Sequence, residues 1–74
     1  MDWFLINNVR GVGNKKMLIN AETITSVYYE ENTNLTVINL TRSAYPSIFV
    51  EGNIMPDICR LLDAHDHYVS HIGG

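Results

Sequence analysis

The sequence predicts a small α+β domain: an antiparallel sheet of about five short strands with one C-terminal helix packed on one face. Three observations carry that expectation. Short runs rich in β-branched and aromatic residues recur along the first fifty positions, separated by polar or glycine-containing connections. The apolar period then changes, with Ile54, Ile58, Leu61 and Leu62 at helical spacing. The chain has 74 residues, enough for one domain spanning 1–74.

Trp3 to Val9 reads as the first strand. Arg10-Gly11-Val12-Gly13-Asn14-Lys15-Lys16 has the composition of a hairpin loop, and Met17-Leu18-Ile19 returns as a short second strand. Asn20-Ala21-Glu22-Thr23 interrupts the pattern as one helical turn. Ile24 to Glu30 reads as the third strand, with a bulge expected because Ile24 and Val27 fall on opposite faces. Glu31-Asn32-Thr33-Asn34 is a polar turn, and Leu35 to Thr41 is the clearest strand, completing a hairpin. Ser47-Ile48-Phe49-Val50 follows the Arg42–Pro46 connection as the last strand. The helix is expected to start after Asn53 as N-cap, with Pro56 tolerated in the first turn and Asp57 favoured near its positive end. Residues 65–74 form a tail, and Gly73-Gly74 is expected to fray.

Composition bounds the function. A chain this short buries only roughly 60% of the surface its unfolded form exposes, so its core is marginal and a partner subunit is the expected source of extra stability. Cys59 is the only cysteine, which excludes an internal disulfide and fits a reducing, intracellular setting. Charged residues make up 18%, below the usual quarter, so much of the surface is neutral or apolar. The net charge is −3, with five basic residues against eight acidic ones, which argues against a general grip on nucleic-acid phosphates. The N-terminal residues lack the basic and long apolar regions of a signal peptide, and no stretch approaches a membrane span. These features predict a cytoplasmic protein.

Leu35 and Val37 point to one face of the central strand, while Ile38 and Leu40 point to the other. One helix covers one face. These four residues are therefore the expected interface of a homo-oligomer. The alternative is a strongly twisted sheet that curls over itself.

Leu18-Ile19-Asn20-Ala21-Glu22-Thr23-Ile24, Leu35 to Thr41 and Ile48-Phe49-Val50-Glu51, followed by the helix, resemble in layout the small flagellar-motility proteins of the FlbD-like family. The resemblance spans residues 17 to 62 and implies paired strands closed by a C-terminal helix. It transfers no functional residue. The Gly/Lys loop and the His-rich tail depart from it.

Three clusters have chemical potential. Arg10, Lys15 and Lys16, with Gly11 and Gly13 between them, can hold an anion, and an exposed Tyr28 or Tyr29 can stack a ring beside it. The spacing is not that of a phosphate-binding Walker loop. The plainer alternative is a hairpin loop whose charges discourage edge pairing. Asp63, His65, Asp66, His67 and His71 form the second cluster. If the helix continued, Asp63, His67 and His71 would share one face as metal ligands can. The plainer alternative is a solvated helix end, and no metal site is assigned. Trp3, Tyr28, Tyr29 and Tyr45 form the third, either as partner anchors or as cover for the core edge. No catalytic residue emerges, because Ser43, Ser47 and Ser70 lack a nucleophile context.

The expected function is a non-catalytic binding or regulatory protein that acts as a homo-oligomer through its sheet face, in the inhibitor or adaptor format common among phages and mobile elements. One alternative is a sponge-like binder of a small anionic ligand, such as a nucleotide, at a subunit junction. Another is a flagellar or motility accessory protein. No cofactor is called for.

Overall fold

The computed structural model describes residues 2–65, 67 and 69–73. Strand β1 (Trp3–Asn7) pairs with β2 (Lys16–Asn20) as an antiparallel ribbon. The apolar run at the start of β1 hides an alternation: Phe4 and Ile6 are buried, while Trp3 and Leu5 are exposed. The strand ends two residues sooner than the apolar pattern suggests. Asn8 adopts a left-handed φ of 60°, a conformation asparagine tolerates better than most residues. Past that turn Val9 still donates its N–H to the Lys15 carbonyl beside β2, and it also bridges a different strand.

After β2 a single 3₁₀ turn, Ala21–Thr23, reverses the chain. The Asn20 side chain accepts from the Glu22 N–H at 3.0 Å, and the Thr23 hydroxyl donates to the Asn20 carbonyl at 2.7 Å. Strand β3 (Ile24–Glu30) then pairs with β4 (Leu35–Leu40), and β4 pairs with β5 (Ser47–Glu51). The expected bulge lies between Ile24 and Ser26. The fold is α+β as expected, but the strands divide into a two-stranded ribbon and a three-stranded sheet instead of forming one sheet. The ribbon stacks on the sheet. Val9 bridges Val50, the Arg10 N–H donates to the Phe49 carbonyl and the Glu51 N–H to the Asn8 carbonyl.

Helix α1 (Met55–Ala64) follows Gly52, whose φ of 88° suits a residue without a side chain. Ile54, not Asn53, is the residue at the N-cap, and it makes no side-chain cap bond. Asn53 still contributes, accepting from the Met55 N–H through its side-chain oxygen. The helix start is fixed from within the core. Thr36, fully buried, donates its hydroxyl to the Gly52 carbonyl at 2.7 Å and accepts from the Ile54 N–H at 3.0 Å. A buried hydroxyl with both roles satisfied costs little, and it ties β4 to the entry of the helix.

The core gathers Phe4, Ile6 and Ile19 from the ribbon, Ile38, Ile48 and Val50 from the sheet, and Ile58 from the helix, with Val9 and Ala21 between them. Ribbon and helix together cover the inner face of the sheet. Among the described residues nothing comparable covers the outward face. There the sheet carries a polar row, Ser26–Asn39–Ser47, and an apolar row, Tyr28–Val37–Phe49. Asn39 Nδ2 donates to Ser26 Oγ at 2.9 Å, and Ser47 Oγ donates to Asn39 Oδ1 at 2.8 Å.

This arrangement corrects the expected interface. Ile38 faces the core with no exposure, and Leu40 is half-buried against it. Leu35 and Val37 do face outward, yet they too are buried, at 7% and 5% exposure. Strand β4 is flanked on both sides, so Tyr28 and Phe49 screen Val37 in register. What this face exposes is Tyr28 and Phe49, at 50% and 42%, and not the four residues of the expected interface.

Candidate functional site

The β1–β2 loop does not build the expected anion cradle. Val9 donates its N–H to the Lys15 carbonyl, Lys15 donates its N–H to the Val12 carbonyl, and Asn14 Oδ1 accepts from the Lys16 N–H. Gly11 takes a φ of 81° and Lys15 a φ of 58°. This folding sends the three cations in different directions. The ammonium of Lys15 lies 3.9 Å from Glu51, and Lys16 sits on the outward face of β2 opposite Asn7. Arg10 and Gly11 line a small cavity of about 130 Å³ that reaches Tyr45 and Phe49, without Lys15, Lys16 or Gly13. Nor do the tyrosines join them. Tyr28 lies on the strand farthest from β5, the strand whose Phe49 carbonyl Arg10 caps. Tyr29 points to the opposite face and donates its hydroxyl to Asn34 Oδ1 at 2.6 Å.

The histidine cluster likewise forms no helical ligand stripe, because α1 ends at Ala64. Asp63 accepts from the Val69 N–H, and His71 is exposed. His65 and His67 turn back onto Asp2: His67 Nε2 is 2.8 Å from one carboxylate oxygen and His65 Nδ1 is 3.6 Å from the other. The His65 ring also packs 5.6 Å from that of Phe4. Asp66 and Gly74 lie outside the described residues. Among the described residues no group of three or more His, Cys, Asp or Glu is placed to hold a metal ion. The arrangement closes the C-terminal tail over the start of β1. Cys59 is half-buried on the helix.

Two surface features went unnoticed at the level of sequence. The first is the outward face of the ribbon. Trp3, Leu5 and Leu18 are 53%, 58% and 58% exposed. Leu5 and Leu18 are direct cross-strand partners, and Trp3 is diagonal to Leu18. Alternation in β1 was the available signal, masked because its inward residues are equally apolar.

The second is a cleft of about 320 Å³ between β2 and the Arg42–Pro46 connection. Buried Ile19 and half-buried Met17 and Leu40 supply its apolar lining, while Trp3 and Tyr45, both more than half exposed, stand at its rim. Arg42, two residues past the end of β4, lines it from a left-handed backbone position, φ 53°. A further groove of about 280 Å³ runs between β1 and α1, past Leu5, Asn7, Asp57 and Leu61.

No family model matches this chain, and neither a curated protein nor a solved structure matches it. No helix among the described residues is long and apolar enough to cross a membrane.

Proposed function

We propose that this chain is a small, non-catalytic, cytoplasmic binding protein that works as a homo-oligomer, with the outward face of the β1–β2 ribbon as its contact surface. The observation that carries the reading is the contiguous exposure of Trp3, Leu5 and Leu18. The occupant that fits this face is a second copy. Its outward positions are Trp3, Leu5, Asn7, Lys16, Leu18 and Asn20, of which only Lys16 is charged. A two-fold axis through the Leu5–Leu18 pair, lying across the strands, sets the leucines of the two copies together. It also sets the Lys16 end of one copy over the Trp3 end of the other, a cation–π complement. The reading keeps the partner-binding role expected from composition and moves it off β4. An inhibitor or adaptor role fits this format.

Sedimentation velocity at micromolar concentration tests it. The native chain should run as a dimer, and Leu5→Lys/Leu18→Lys should run as a folded monomer. A native chain that is monomeric with its fold intact overturns the reading.

A further inference from the structure

We infer that the cleft between β2 and the Arg42–Pro46 connection binds a small flat aromatic molecule carrying a single anionic group. The cleft shares Trp3, Leu18 and Asn20 with the proposed contact face, so the Arg42 variants below, at a residue off that face, separate failure of this inference from failure of that reading.

The polar groups lining the cleft are the first argument. Asn20 Oδ1 already accepts from the Glu22 N–H, and Ser43 Oγ already accepts from the Tyr45 N–H at 3.1 Å. Thr23 spends its hydroxyl proton on the Asn20 carbonyl. Asn20 and Ser43 each keep one lone pair but also unspent donors, the Asn20 amide N–H groups and the Ser43 hydroxyl, while Thr23 keeps acceptor capacity only. Arg42 adds a guanidinium, which has no carboxylate within 4.0 Å among the described residues. Among the described residues no acidic side chain lines the cleft. A concave site with one cation and neutral donors, and without a competing carboxylate, selects an anion.

The remaining lining sets the rest of the ligand. Leu18, Ile19, Met17 and Leu40 are apolar, and Trp3 and Tyr45 add two aromatic rings, a lining suited to an apolar planar partner. The volume of about 320 Å³ lies at the lower end of the ~300–1,000 Å³ typical of ligand pockets, which suits a ligand of one or two fused rings. A single guanidinium matches a single carboxylate or phosphate.

Trp3 is the only tryptophan, so at a fixed protein concentration a change in its fluorescence on titration reports on the cleft. Full-length protein would be titrated with 2-naphthoate and with adenosine monophosphate, each beside its uncharged counterpart, 2-naphthamide or adenosine. At least one charged probe should give a saturable change, with its neutral counterpart about tenfold weaker or more. Preference for the carboxylate or for the phosphate probe identifies the anion. Arg42→Gln should erase the difference between charged and neutral probes. Arg42→Gly, which the left-handed backbone accommodates, should do the same while keeping circular dichroism and sedimentation unchanged. Arg10→Ala should bind as the native chain does. Absence of saturation by either charged probe, equal binding of charged and neutral probes, or full retention of charge preference in both Arg42 variants overturns the inference.

Discussion

The ribbon and the three-stranded sheet solve the same problem in different ways. Both carry apolar side chains on two faces. In the sheet, β4 has a neighbour on each side, and Val37 falls to 5% exposure with Tyr28 and Phe49 beside it in register. The ribbon has only edge strands. Leu5 and Leu18 touch each other across one strand pair and stay 58% exposed. The sheet also holds its outward face with a polar ladder, Ser26–Asn39–Ser47, which the ribbon lacks. Identical residue types are therefore structural in one region and available in the other. Strand count, more than residue type, decides which.

The largest expected effect contrasts the two regions directly. Ile38→Ala, at a site with no exposure, should destabilise the fold by about 2–5 kcal/mol in urea denaturation. Leu5→Ala on the ribbon should change the stability of the monomer by less than about 0.5 kcal/mol. Equal losses would mean that the ribbon face is as buried as the core.

Next comes the hydroxyl that joins sheet to helix. Thr36→Val keeps the shape and removes both hydrogen bonds, leaving the Gly52 carbonyl and Ile54 N–H without partners. A loss of about 1–3 kcal/mol is expected, with reduced protection of the Ile54 and Met55 amides in hydrogen exchange.

A concentration series sharpens the comparison further. The melting temperature of the native chain should rise with protein concentration, and that of Leu5→Lys/Leu18→Lys should not. Substitution on the outward sheet face, Tyr28→Ser, should leave the concentration dependence intact. The smallest effect belongs to the tail. Asp2→Ala removes the partner of His65 and His67 and should cost about 0.5–1 kcal/mol, measured by the same denaturation.

Much of the local structure was legible in the sequence. The spacing of Ile54, Ile58, Leu61 and Leu62 announced the helix, the polar quartet Glu31–Asn34 announced the hairpin, and the broken alternation after Ile24 announced the bulge. These signals depend on neighbours in the chain. The failures have another origin. The burial of Val37 requires knowing that β4 is central. The bridge that Val9 makes beyond the ribbon turns on the backbone of Asn8 together with a partner, Val50, far along the chain. The histidines were spaced for a helix that stops at Ala64, beyond which His65 and His67 turn to Asp2 at the other end of the sequence. The cleft was illegible for the same reason: Arg42 and Asn20 become neighbours only when the chain closes.

Every strand pairs with the strand next to it in sequence, so each pairing can form by zipping outward from its own turn. Loops this short close in well under a microsecond, and hairpins follow in microseconds. The Val9–Val50 bridge is different, because it joins pieces that are far apart in the chain and carries the entropy cost of a long closure. The expected folding transition state therefore has its hairpins formed and its layers not yet joined, with the bridge as the last link made and the first one broken on unfolding.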